Sequence, residues 1–352
     1  MAYTTIDNPG LFFNTLLWTG DGASTRSITG VGFQPDWIWV KCRSTGHDHY
    51  SWDSVRTNKK GLEPSDTSAE RNPTLGSIDS DGFSFSGLDS FYNANSDTYV
   101  GWNWRAGNSS GSSNGDGSIT STVSANTTAG FSIVSYTGTG SNATVGHGLG
   151  AVPKWIITKR YDGATENWGV YHAGLGNTKY VFLNKTNTAG TSSAYWNDTT
   201  PTSSVFSIGT NDVVNTSGGV YIAYCFADVK GYSKFGTYTA NANTDGPFVY
   251  TGFKPAWVLV QNTSFAQGWY MIDNKRNTFN EVTKSLSSHN SSTENDSSNN
   301  AGCDFLSNGF KVRAVGTGDI NHTSGNTYIY MAFAENPFVA NDSGTAVPVV
   351  AR

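Results

Sequence analysis

Several short stretches of this chain hold residue types that could bind phosphate, metal or sugar, and each is first weighed as a turn. Gly146-His147-Gly148-Leu149-Gly150 has the glycine content of a phosphate-cradling loop. Such a loop needs a strand before it, a helix after it and a Lys-Ser/Thr pair, and none follows here. The glycines instead occupy the turn ahead of Pro153, where positive φ is wanted. His47-Asp48-His49 would set two imidazoles on one face of an extended strand. The segment falls between strands and lacks a third ligand, so it reads as a polar loop. Asp79-Ser80-Asp81-Gly82 and Gly20-Asp21-Gly22 carry carboxylates suited to calcium, which takes about six to eight oxygens. Neither has the spaced acidic ladder of a calcium loop, and tight turns explain both. Glycoside hydrolysis needs two carboxyl groups about 5–10 Å apart across a cleft. Glu63, Glu70, Glu166, Glu281, Glu294 and Glu335 do not recur at matching places, and no Gly-x-Ser-x-Gly elbow occurs. The sequence therefore predicts no catalytic residues, no metal site and no cofactor. A polysaccharide-degrading enzyme stays as the outside alternative, because β-sandwiches host such sites. For binding, Tyr50, Tyr92, Tyr161 and Tyr195 fall in stretches read as loops and are the candidates for stacking on sugar rings.

The elements that would position these residues are written three times. "VGFQPDWIWVK" at 31–41, "GLGAVPKWIITK" at 148–159 and "YTGFKPAWVLV" at 250–260 share a proline, then a tryptophan two residues on, then a β-branched run. An aromatic-Thr turn precedes each proline at the same interval: Trp18 to Pro35, Tyr136 to Pro153, Tyr238 to Pro255. Another tryptophan opens the next strand in each copy, at Trp52, Trp168 and Trp269, and a Tyr-aliphatic strand closes it. A proline cannot donate to a strand ladder, so it belongs at a strand entrance. The run after it alternates too little for a half-solvated strand and reads as buried on both faces. Short strands, frequent Gly/Asn/Ser/Asp turns and no helical period predict an all-β chain of three tandem β-sandwich repeats.

The repeats are predicted at 11–106, 131–229 and 230–338. Residues 107–130, rich in Gly, Ser, Asn and Thr, read as a linker or a surface-hugging strand. Only "DVKGYSK" separates the second repeat from the third, so those two are expected to pack as a rigid pair. Residues 1–10 and 339–352 read as arms, disordered or docked on a neighbouring subunit. Trp37, Trp155 and Trp257 are expected to anchor three separate cores.

Composition narrows the function classes. Gly 40 and 13% aromatics beside only 14% charged residues suit strands and turns rather than helices. A net charge of −5 gives no basic footprint for nucleic acid. No apolar run is long enough for a membrane span, and "MAYTTIDNPG" has no secretory core, so a cytoplasmically assembled protein without membrane insertion is expected. The Asn-x-Ser/Thr sequences are then composition rather than glycosylation sites. Cys42, Cys225 and Cys303 are an odd set without CxxC spacing and read as free thiols.

Together "DGSITSTVSANTTAGFSIVSYTG", "GHGLGAVPKWIITKR", "GYSKFGTYTANANTDGPFVYTGFKPAWVLV" and "LSNGFKVR…TYIYMAFAEN" resemble the repeated β-modules of marine bacteriophage virion proteins, often labelled tail-fibre-like. The resemblance covers about residues 11–338. It implies a virion structural protein assembled in the host cytoplasm, with a concanavalin-like jelly-roll sandwich in each repeat. It also implies other virion proteins as partners, a homo-oligomer, and contact with the host envelope through surface glycans. It carries over no catalytic or binding residues. The chain opens on a module with no heptad stalk, so capsid decoration is the alternative to a tail fibre or tail tip.

Overall fold

A computed structural model describes residues 3–339 apart from 58, 88 and 315–319. The chain is all-β, with helix among the described residues confined to single turns such as Ser193–Trp196 and Asp212–Asn215. Three antiparallel sheets run the same course. In the first, Phe13–Thr19, Thr98–Trp104, Trp37–Cys42 and Tyr50–Asp53 lie side by side in that order. The second contains Phe131–Thr137, Val220–Phe226, Trp155–Arg160 and Gly169–His172, and the third Ser233–Thr239, Thr327–Pro337, Phe253–Asn262 and Trp269–Asp273. Each tryptophan-led strand thus lies between the closing strand and the strand that follows it. A smaller sheet covers one face of each: Thr25–Thr29 with Gly82–Ser86 in the first lobe, Ala143–Gly146 with Val205–Ile208 in the second, Phe248–Tyr250 with Gly309–Val312 in the third.

The tryptophan-led strands are buried on both faces, as their unbroken apolar runs require. In the first lobe Ile38 and Val40 point toward the covering sheet, against Phe83 and Phe85. Trp37 and Trp39 point the other way, into a core shared by all three lobes. Trp155, Trp257, Phe131, Phe226 and Phe333 meet them there. Trp37 stacks between Trp104 of its own lobe and Tyr224 of the second, both at 4.4 Å between ring centroids. Trp257 of the third lobe lies 5.6 Å from Trp104, and Trp155 lies 5.8 Å from Trp269. The three tryptophans are fully buried, but they do not anchor three separate cores. Each lobe has one apolar face under its own covering sheet and another that only its neighbours cover.

A second device recurs in each lobe. Trp18 stacks on Tyr99, Tyr136 on Tyr221 and Tyr238 on Tyr328, with ring planes within 15° of parallel. The three tyrosine hydroxyls accept from the backbone N–H of Ala94, Thr216 and His322. The residue just before each of these is a fully buried asparagine: Asn93, Asn215 and Asn321. Asn215 Nδ2 donates to the Ser141 and Gly209 carbonyls (both 2.6 Å), and Asn321 Nδ2 to the Asn243 carbonyl (2.8 Å). A buried amide that spends its donors on loop carbonyls fixes the turn between the first strand and the covering sheet.

Several sequence expectations change. Within residues 107–130, read above as a linker or a surface-hugging strand, Ser121–Asn126 pairs with Phe131–Thr137 and Ser112–Asn114 pairs with Ser121–Asn126, widening the second sheet. Backbone pairing needs no apolar side chains, so a Gly/Ser/Asn/Thr segment can extend a sheet. The second and third lobes do pack together, and the first packs against both. Pro35 and Pro153 precede their strands, but Pro255 lies inside Phe253–Asn262 at a register shift, the other place a proline fits a sheet. The described part of the N-terminal arm packs on its own chain. Ile6 is buried in the central core, and the Tyr3 hydroxyl donates to the Gly252 carbonyl at 2.7 Å. Of the C-terminal arm only Val339 is described, and 340–352 lie outside the described residues.

Candidate functional site

Strand register decides which side chains meet between lobes. Trp37, Trp155 and Trp257 pair across the sheet with Asp53, His172 and Asp273. Trp39, Ile157 and Leu259 pair on their other side with Trp102, Tyr224 and Met331. These two sets meet at the seams. Tyr224 of the second lobe donates its hydroxyl hydrogen to Asp53 Oδ2 of the first (2.9 Å). Trp102 of the first lobe donates Nε1–H to Asp273 Oδ2 of the third (3.1 Å). At the remaining seam Met331 has nothing to donate, and the partner position holds a neutral histidine instead of a carboxylate. The sequence of contacts is cyclic: second lobe on first, first on third, third on second.

The carboxylates at these seams are fully committed. Asp53 Oδ1 accepts from the backbone N–H of Val55 and Arg56, and Oδ2 receives Arg56 Nε at 2.7 Å. Asp273 repeats the pattern with Lys275, Arg276 and a 2.6 Å contact to Arg276 Nε. Glu70 backs Arg56 and Glu294 backs Arg276. His172 takes the same turn-fixing role through Nδ1, which accepts from the Gly174 N–H at 2.9 Å. Its Nε2 faces the Tyr330 backbone, and burial holds its pKa down at about 3. Buried ion pairs of this kind hold geometry more than they add stability, and losing one partner is costly.

A second ring of contacts also runs through each seam. Trp168 donates Nε1–H to the Glu63 carbonyl of the first lobe, and Trp269 to the Phe182 carbonyl of the second, both at 2.9 Å. Counting along the ladders, the residue in register with them is His49, not Trp52. His49 Nδ1 accepts from Trp39 Nε1 (2.9 Å), so the proton is on Nε2, which donates to the Ser287 carbonyl of the third lobe (2.9 Å). The His47-Asp48-His49 stretch is thus part of a lobe seam. Burial keeps His49 neutral well below its usual pKa.

The other chemical candidates resolve into turns. His147 is buried, with Nδ1 accepting from the Leu149 N–H, and Gly148 and Gly150 both have φ of +67°. Asp81 accepts from the Gly30 and Gly32 N–H groups, and Asp21 from the Ala23 N–H. Among the described residues no group of three His, Cys, Asp or Glu is placed to hold a metal ion. Tyr50, Tyr92 and Tyr195 are buried, not exposed on loops. Tyr92 stacks on Phe85 at 4.0 Å and Tyr195 on Tyr180 at 3.6 Å, so those faces are closed to a sugar. Tyr161 is partly buried beneath the Arg56 guanidinium at 5.6 Å. Tyr92 and Tyr161 do lie outside regular elements, whereas Tyr50 opens the strand Tyr50–Asp53 and Tyr195 lies in the helical turn Ser193–Trp196. What sequence reading missed had a signal: Asp-x-x-Arg occurs at 53–56 and again at 273–276.

The open surface is different in kind. In the third lobe a cleft of about 500 Å³ is lined by Tyr270, Ser285, Ser287, Asn295, Asp296 and Asn300, with Glu294 at its edge. It lies where the third inner sheet continues past Trp269–Asp273 through Lys284–Leu286 and Asn295–Asp296. Glu294 is held there by Arg43 of the first lobe in a bidentate pair of 2.8 and 2.9 Å. Phe248, Tyr250, Phe265 and Phe279 are exposed elsewhere on the same lobe.

Residues 8–337 match the family described as "Domain of unknown function (DUF7483)". No curated protein and no solved structure matches the chain. The match begins at the turn before the first strand and ends with the last strand, so one family pattern spans all three lobes. The chain belongs to this family.

Proposed function

We propose that the chain is a non-enzymatic structural protein of a bacteriophage particle, built of three repeated β-sandwich modules and displayed on the particle surface as a tail-fibre or tail-tip adhesin-like component. The observation that carries this reading is the use of its reactive-looking groups. Asp53, Asp273 and His49 bond across the lobe seams, Arg56 and Arg276 hold the two aspartates in place, and His172 fixes a buried turn of its own lobe. Polar loops and clefts remain outside for recognition, the usual division between a rigid scaffold and its binding loops. The resemblance of the repeated phrases to marine phage virion modules supplies the setting. Homo-oligomerisation and contact with other virion proteins belong to the same proposal.

The second reading is capsid decoration, which the cyclic order of lobe contacts also fits, because a body of that order can sit at a threefold position of a symmetric shell. Electron microscopy of purified particles labelled with antibody against this protein separates the two. Label at the tail supports the adhesin, label over the head supports decoration, and absence from particles overturns both. Release of sugar from a host-envelope polysaccharide by the purified protein would overturn the non-enzymatic assignment.

A further inference from the structure

The geometry points to the third-lobe cleft as a binding site for neutral sugar units, one or two rings of a surface glycan. The inference rests on the adhesin reading above and names the ligand class and place. Its volume of about 500 Å³ lies within the range of small-molecule sites, roughly 300–1,000 Å³. The lining fixes the chemistry. Ser285, Ser287 and the amides of Asn295 and Asn300 can each donate and accept, as every sugar hydroxyl does. Tyr270 contributes a flat ring suited to the apolar C–H face of a pyranose.

Charge excludes the competing classes. The guanidiniums of Arg43 and Arg276 both engage Glu294, at 2.8 and 3.4 Å, so neither is open to a phosphate or sulfate. Glu294 is offset by Arg43, Arg276 and Lys284, and the exposed carboxylate of Asp296 at the rim would face any second anion, which disfavours acidic sugars. The hydroxyls and amides of the lining would be left without partners by an apolar ligand.

The site is also held in shape before any ligand arrives. Ser285 and Asn295 are paired across the sheet, the Ser287 carbonyl is fixed by His49, and the Glu294 N–H donates to the Arg43 carbonyl at 2.9 Å. Two of these anchors come from the first lobe, so the cleft depends on the seam between lobes. A preorganised site loses less free energy to ordering on binding.

The test uses the full chain, with maltose, cellobiose, lactose and diacetylchitobiose as probes and the side-chain amide signals of Asn295 and Asn300 as the readout in NMR titrations. At least one probe should move both signals. Ser287→Leu, which fills the cleft with an apolar side chain, should weaken that binding about tenfold or more, equivalent to about 1.4 kcal/mol. Asn295→Ala, at an exposed position, provides the same test should Ser287→Leu impair folding. The inference is overturned if no probe moves either signal, if both variants bind as the parent does, or if sialyllactose binds more tightly than lactose. Tail labelling with no sugar response would remove this site and leave the adhesin reading standing.

Discussion

Replacing Trp37 with alanine asks whether three lobes or one body unfolds. Trp37 is 1% exposed and its ring is stacked on both sides, once within its lobe and once against Tyr224 of the second. Burying roughly 200 Å² of aromatic surface at about 25 cal/mol per Å² gives about 5 kcal/mol, and core Trp→Ala changes cost about 3–5 kcal/mol. We take about 4 kcal/mol. Unfolding entropy scales at about 2.1 cal/mol/K per residue, so the roughly 330-residue unit spanning 8–337 carries about 0.7 kcal/mol/K. The expected fall in Tm is then about 6 °C, in a single calorimetric transition. Were the lobes independent, a unit of about 100 residues would bear the whole loss and its own transition would fall by about 20 °C, with the other two unmoved. Trp155→Ala and Trp257→Ala should shift the same single transition as Trp37→Ala. Three transitions, of which each variant moves only one, would refute the shared core.

Tyr224→Phe should cost about 1–2 kcal/mol in urea unfolding, because Asp53 keeps Arg56 and two backbone donors. Asp53→Ala should cost more, about 3–5 kcal/mol, since it leaves a buried guanidinium with Glu70 as its remaining carboxylate; equal losses would show that the seam bond carries the energy. Acid should destabilise the protein through His172 and His289, whose folded pKa values are pressed by burial to about 3 and about 4. The unfolded chain binds their protons first, so stability is lost as pH falls from about 6.5 toward 3–4, by up to about 1.4 kcal/mol per pH unit for each histidine. His172→Asn should flatten that slope in urea titrations run at stepped pH, and an unchanged slope would remove His172 from the account. Deleting residues 1–8 should lower stability by about 1.5–3 kcal/mol through loss of buried Ile6, read by chemical denaturation; an unchanged midpoint would return the arm to a purely external role.

The sequence by itself determined the strands and their burial. A proline, a tryptophan and a β-branched run are local facts, and they dictate a buried strand wherever they occur. Turn glycines, the reading of Asp21 and Asp81 as turn residues, and the absence of a spaced calcium ladder were legible for the same reason. The all-β class followed from composition and period alone.

What the far face of each sheet packs against was decided only in three dimensions. A tryptophan buried under its own covering sheet and one buried against a neighbouring lobe have the same sequence neighbourhood, so Trp37, Trp155 and Trp257 looked like three cores. The placement of His49 in register with Trp168 and Trp269 depended on counting hydrogen-bonded pairs, because Trp52 offers the more obvious tryptophan three residues later. The burial of Tyr50, Tyr92 and Tyr195 is not legible locally, because residues distant in sequence or on other elements cover them. The cleft was invisible for a related reason: Tyr270, Ser285 and Asn295 come from three strands, Ser287 follows one of them, and the Arg43 that fixes their edge comes from another lobe. Serines and asparagines at such intervals look like any other turn until a long-range ion pair holds them around one space.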